Sequence, residues 1–145
     1  RLEFQQAGGR GYLDSLLKEL GIPISSQTLV FSKTSAQAQM ISPASPRALY
    51  FNDDIYVGWT PDGPFLEISA ATAEGGTVFY TLPQDPKQPP SFQLDAQGSC
   101  LQCHDSARTD GVPGHMLRSV YPDPEGMPYF GVRAGYFPGR RFGRL

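Results

Sequence analysis

The sequence predicts an α+β domain: an N-terminal helix, a four-stranded antiparallel meander, a loop or short helix carrying a cysteine–histidine motif, and a C-terminal hairpin. Three observations predict it. One stretch near the start has helical periodicity. Four later runs are short, rich in β-branched and aromatic residues, and bounded by turn chemistry. The 145 residues include 16 Gly and 14 Pro, so loops are numerous. The length suits one domain, 1–145, with a real core.

Residues 1–11 are Gly-rich near their end and read as a flexible lead. Tyr12, Leu13, Leu16, Leu17 and Leu20 then fall on one side of a helix, which Gly21 and Pro23 stop. Such a helix packs on a sheet. Leu29-Val30-Phe31 reads as a short strand, and the Ser/Pro-containing residues 33–46 as an ordered loop. Arg47–Phe51, Ile55–Thr60, Phe65–Ala71 and Thr77–Leu82 are the four meander strands. Asn52-Asp53-Asp54, Pro61-Asp62-Gly63 and Glu74-Gly75-Gly76 join them, and turns this short imply antiparallel neighbours. Leu66, Ile68 and Ala70 alternate with Glu67 and Ser69, giving that strand one buried face. A PAS-like sheet is the nearest analogy. Residues 83–99 form a Pro-rich connection. Leu117–Val120 and Tyr129–Val132 flank a Pro-Asp-Pro-Glu-Gly turn and form the last hairpin.

The chemistry concentrates in Cys100-Leu101-Gln102-Cys103-His104, which holds both cysteines of the chain. C-x-x-C-H is the attachment motif of c-type haem. Two thiols at this spacing reach the two vinyl groups on one porphyrin edge, and the following imidazole comes under the iron. Cys100 and Cys103 are therefore the expected anchors of one covalent haem c, and His104 the proximal ligand. Three other readings compete: a redox disulfide, a zinc site drawing on Cys100, Cys103, His115 and His104, and two inert buried thiols. The first expects the motif to open a helix in an α/β pattern, which does not precede it. The second crowds three ligands into five residues.

Covalent haem attachment normally takes place outside the cytoplasm, so the motif implies export and a periplasmic or extracellular location, with any signal peptide already removed. No segment approaches the ~20 apolar residues that span a bilayer. Net charge is −2 before any cofactor, which argues against general nucleic-acid binding. Neither a Gly-rich phosphate loop nor a nucleophile triad is present.

The chain also resembles a group of bacterial c-type cytochrome-domain proteins of unassigned role. The resemblance rests on Phe31-Ser32-Lys33-Thr34-Ser35, Pro46 to Asp53 (PRALYFND), Tyr56-Val57-Gly58-Trp59, Val78-Phe79-Tyr80-Thr81-Leu82, Cys100 to His104, and Gly111-Val112-Pro113-Gly114 leading to Arg118-Ser119-Val120. These pieces cover most of residues 28–128. Relatives of this kind continue with a further His-containing stretch. Here the sequence runs to Arg140-Arg141-Phe142-Gly143-Arg144-Leu145, so a distal ligand must be sought locally.

That sixth ligand decides function: a strong one favours electron transfer, an open position favours gas binding or peroxide chemistry. His115 follows the Gly-Val-Pro-Gly loop and can reach around a haem edge. Met40, Met116 and Met127 compete with it, as does an open or intermolecular site. Arg108 and Arg118 flank the motif and are the candidates for pairing with haem propionates, with Arg47 behind them. Trp59, Tyr50, Tyr56 and Tyr80 read as core or haem-wall residues. The expected function is single-electron transfer by a monohaem cytochrome. The alternatives are a haem-based sensor or ligand-binding module, or a haem enzyme. The enzyme would be a peroxidase using His115, or a lysine-crosslinked oxidoreductase using Lys18, Lys33 or Lys87. Residues 129–145 combine Tyr129, Phe130, Tyr136, Phe137 and Phe142 with Arg133, Arg140, Arg141 and Arg144. This arm is expected either to fill the core as an edge strand or to meet a redox partner protein or a neighbouring copy of the chain, and a homo-oligomer is compatible with it.

Overall fold

Alternating side chains in the predicted strands leave one apolar face, and that face organises the domain. The computed structural model describes residues 1–74, 76–95, 98–105, 110–115 and 120–129. The four expected strands are β2 (Arg47–Phe51), β3 (Ile55–Trp59), β4 (Phe65–Ala71) and β5 (Thr77–Pro83). β1 (Thr28–Val30) pairs with β2 at one edge, and β6 (Gln93–Leu94) pairs with β5 at the other. The fold is mixed helix and sheet, but the sheet is six-stranded rather than four-stranded, with sequential order β1-β2-β3-β4-β5-β6. β6 lies within the Pro-rich connection and is too short to show a period. A sequential meander has no crossover, so the PAS-like arrangement is not adopted.

Local chemistry sets the turns. Between β2 and β3, the Asn52 side-chain oxygen accepts from the backbone N–H groups of Asp54 (3.1 Å) and Ile55 (2.9 Å), an Asx turn. Across the sheet, Tyr50 pairs with Val57, Val57 with Ile68, and Ile68 with Tyr80. These residues share one face with Leu66 and Leu82. Helix α1 (Leu13–Glu19) covers it with Leu13, Leu16 and Leu17. The helix ends as its glycine predicts. Gly21 (φ 64°) donates to the Lys18 carbonyl at 3.3 Å and Ile22 to the Leu17 carbonyl at 2.9 Å, the Schellman pattern.

The first eleven residues make specific contacts. Gln5 and Gly11 form an antiparallel bridge. The Phe4 and Tyr12 rings meet edge to face at 5.0 Å. The Arg10 guanidinium forks onto Asp14 at 2.6–3.0 Å and lies 5.8 Å from the Tyr50 ring and 5.6 Å from the Trp59 ring.

The opposite face carries different cargo. Arg47 and Glu67 form an ion pair over it, each side chain 16% exposed. Gly58 permits this, because a Cβ there would collide with the Arg47 guanidinium. Residues 31–46 cover this end of the sheet: Ala36 N–H donates to Glu67 (3.1 Å) and the Gln37 amide to the Phe65 carbonyl (3.1 Å). The late turn closes on that loop. Lys33 N–H donates to the Gly126 carbonyl at 2.7 Å, and a Cβ at Gly126 would stand 3.0 Å from the Ile41 carbonyl. The described part of the late hairpin pairs Pro122 with Pro128 and Tyr129 with Tyr121. Its expected strands Leu117–Val120 and Tyr129–Val132 otherwise lie outside the described residues. Among the described residues, no helix is long and apolar enough to cross a membrane.

Leu66 is fully buried between the sheet and α1. Leu66→Ala is expected to cost about 2–5 kcal/mol of stability, read as a lower midpoint in denaturant unfolding with an unchanged slope.

Candidate functional site

The edge strand β6 delivers the motif to the sheet. Asp95 follows β6, and its backbone N–H donates to the Phe79 carbonyl of β5 at 2.9 Å. Its carboxylate then accepts from Cys100 N–H (2.7 Å), Ser99 N–H (3.2 Å) and the Ser99 hydroxyl (2.8 Å). These N–H groups lead into helix α2 (Leu101–His104) and have no partner within it. The expected helical turn of the motif is therefore present, tied at its start to the sheet edge. Cys100 is half-buried and Cys103 exposed.

His104 at the end of α2 is clamped twice. Its ring lies against Phe79, with centroids 4.8 Å apart. Its Nδ1 stands 2.8 Å from the Gly114 carbonyl. A carbonyl only accepts, so Nδ1 carries a proton. Gly114 N–H returns a hydrogen bond to the His104 carbonyl at 3.1 Å. This reciprocal pair brings His115 to the same face of the sheet. The His115 ring lies 4.5 Å from the Tyr56 ring, and its Nδ1 is 2.9 Å from the Ser69 hydroxyl. Tyr56, Ser69 and Phe79 are register partners across β3, β4 and β5. One cross-strand row thus seats both histidines.

The electrostatics distinguish the groups. Burial pulls the pKa of His115 below the ordinary histidine range; the Asp54 backbone partly offsets this, and the charge of His104 adds to it. His115 is therefore a neutral imidazole at neutral pH. Its Nε2 is buried and makes no hydrogen bond, so the Asp54 carbonyl is near the ring without completing one. A buried nitrogen left unpaired costs roughly 1–3 kcal/mol, and ligation of a metal would satisfy it. Burial, then the hydrogen bond to Asp95, push the Cys100 thiol up to about 12, with the charges of Asp95 and Glu67 adding to the effect. A thioredoxin-like redox cysteine needs the opposite shift. Among the described residues, no three His, Cys, Asp or Glu side chains converge on one point, which gives the zinc reading no support. The side chains present fit a covalently held haem: two thiols at the right spacing, one imidazole whose Nδ1 is held on a carbonyl, and a second whose Nε2 is buried without a hydrogen bond.

The structure thus brings Cys100, His104 and His115 to one face. Arg47 is there too, paired with Glu67 and pulled below its ordinary pKa by burial. Met40 and Met127 are exposed, in the 31–46 loop and the late turn. Arg108, Arg118 and Met116 lie outside the described residues. Asp95, Ser69 and Phe79 were missed as site residues. Asp95 had a signal, an acidic residue shortly before a helix start. Ser69 and Phe79 had none, because only the register places them there. No family model, curated protein or solved structure matches the chain.

The Asp95 hydrogen bonds, that of Cys100 N–H first, hold its carboxyl below the ordinary Asp range. A depressed folded-state pKa adds stability above the unfolded value, about 3.9, and loses it as pH falls through the folded value. Asp95→Ala should cost about 0.5–2 kcal/mol at pH 7, as loss of a capping side chain does. The gap to wild type should be flat above about pH 5 and close in more acidic buffer. Urea midpoints across that range read it, and a gap independent of pH would remove Asp95 as the anchor.

Proposed function

We propose that this chain is a monohaem c-type cytochrome that carries single electrons. Haem c is attached through Cys100 and Cys103, His104 is its proximal ligand and His115 its distal one. The observation that carries the reading is the reciprocal hydrogen bonding of His104 with Gly114. It sets the proximal tautomer and brings the second imidazole to the same sheet face. Haem held this way supplies a one-electron iron couple whose potential follows its axial ligands. The chain's own part is to fix both imidazoles and wall them with Phe79 and Tyr56. Arg108 and Arg118 are the proposed propionate partners. Export to the periplasm or exterior follows from covalent attachment.

The decisive experiment is an intact mass with optical spectra of the exported protein. The mass should exceed the polypeptide by one haem that acid–acetone does not extract. Both oxidation states should be low-spin, without the near-infrared band of methionine ligation. Colourless protein would sink the reading. His104→Ala should give high-spin or adventitiously ligated iron. His115→Ala should create carbon monoxide binding that wild type lacks. If Met40→Ala does so instead, the distal ligand is Met40; if wild type already binds carbon monoxide, the sensor or enzyme reading takes over.

The partner proposed for residues 129–145 is a redox protein with an acidic face, or a second copy. Deleting 136–145 should weaken partner reduction or self-association in a salt-dependent way. A truncated protein that unfolds or loses haem would make the arm structural.

A further inference from the structure

We propose that Ser69 is a positioning residue that sets the ligand strength of His115, and through it the redox potential of the site. The inference rests on the function proposed above. Ser69 is the one small hydroxyl residue in a row otherwise built from Tyr56 and Phe79, and it lies directly opposite both in register. Its Oγ is 2.9 Å from His115 Nδ1. A serine hydroxyl either donates or accepts, so two states compete. If Oγ–H donates to Nδ1, the proton of the ring sits on Nε2, which is buried and makes no hydrogen bond. If Nδ1–H donates to Oγ, Nε2 keeps its lone pair. The first state leaves Nε2 no lone pair for a metal, and the second presents one that a metal can use.

An accepting Ser69 does two things. It holds the ring in the tautomer that ligates through Nε2, as an outer partner on a metal-bound histidine does. It also draws on the Nδ1 proton, which makes the ring a stronger donor to iron. A stronger donor favours the ferric state and lowers the potential. The Tyr56 ring, 4.5 Å away and tilted by 33°, restricts the plane of the imidazole. The hydroxyl is left to select its rotation about that plane and its proton position.

The test uses the exported haem-loaded protein and compares wild type with Ser69→Ala, Ser69→Thr and Ser69→Cys. Readouts are the midpoint potential from spectroelectrochemistry, the ferric electron paramagnetic resonance signature, and the unfolding midpoint. Ser69→Ala should remain low-spin, with its potential shifted upward and its ferric g-values changed. Ser69→Thr keeps the hydroxyl and should return both to wild-type values. If the alanine variant does not load haem, Ser69→Cys, near-isosteric with a weak acceptor, carries the same expected upward shift. A low-spin variant with unchanged potential and g-values would overturn the role of Ser69 and leave His115 as ligand. A His115→Ala protein that stays low-spin and refuses carbon monoxide would instead remove the ligand itself, and with it this inference.

Discussion

The register of β3, β4 and β5 is the constraint on which the rest of the molecule depends. β4 serves two functions with alternate residues. Leu66 and Ile68 face α1 and close the core, while Glu67 and Ser69 face the motif. Successive strand residues point to opposite faces, so a slip of one residue would exchange the two sets. Ser69 would then stand under α1, and Ile68 would meet the histidines. The burial that makes the sheet stable therefore also specifies which residues the site receives. Placing the site on a register-locked row of strands gives it more rigidity than a loop alone supplies.

The polar side of the sheet is built around the Arg47–Glu67 pair. It sits where Gly58 leaves room, and it influences Cys100 from below: Glu67 helps raise the thiol. Removing one member of such a partly buried pair leaves an uncompensated charge, at a cost of about 3–5 kcal/mol in fully buried cases. The pair is net neutral, so it brings polarity to the site without a strong field. Arg47, the further propionate candidate, is paired with Glu67. A Cys100 held as a thiol stays out of thiolate exchange chemistry.

Much of this was legible in the sequence, and for identifiable reasons. The helix was read from Leu13, Leu16 and Leu17, and its end from Gly21, because periodicity and a left-handed glycine are local signals. The meander strands were read because each carries its own alternation and turn. β6 was not, since two residues show no period and the prolines around them read as connection. The C-x-x-C-H motif announces chemistry by spacing alone. What surrounds it does not: Phe79 and Ser69 lie in strands read for other reasons, and only cross-strand pairing brings them beneath the histidines. Asp95 was legible in type, as a helix-start acid, but its attachment to β5 depends on the strand that went unread.

The path from His104 to His115 shows how the two scales meet. A loop ligand is ordinarily imprecise, because closing and ordering a loop costs entropy that loop contacts alone rarely offset. Here the loop is closed at its base by two hydrogen bonds between His104 and Gly114. Each histidine then has a second support from the sheet: Phe79 for His104, and Tyr56 with Ser69 for His115. The ordering cost of both rings is thus met in folding rather than when a cofactor binds. The electron carrier proposed above would benefit from such a site, since ligands that hold one position in both oxidation states need little rearrangement when the electron moves. The same argument explains why the unsatisfied nitrogen of His115 persists in the fold. Sheet and loop together hold the ring where it is, and Nε2 makes no hydrogen bond there.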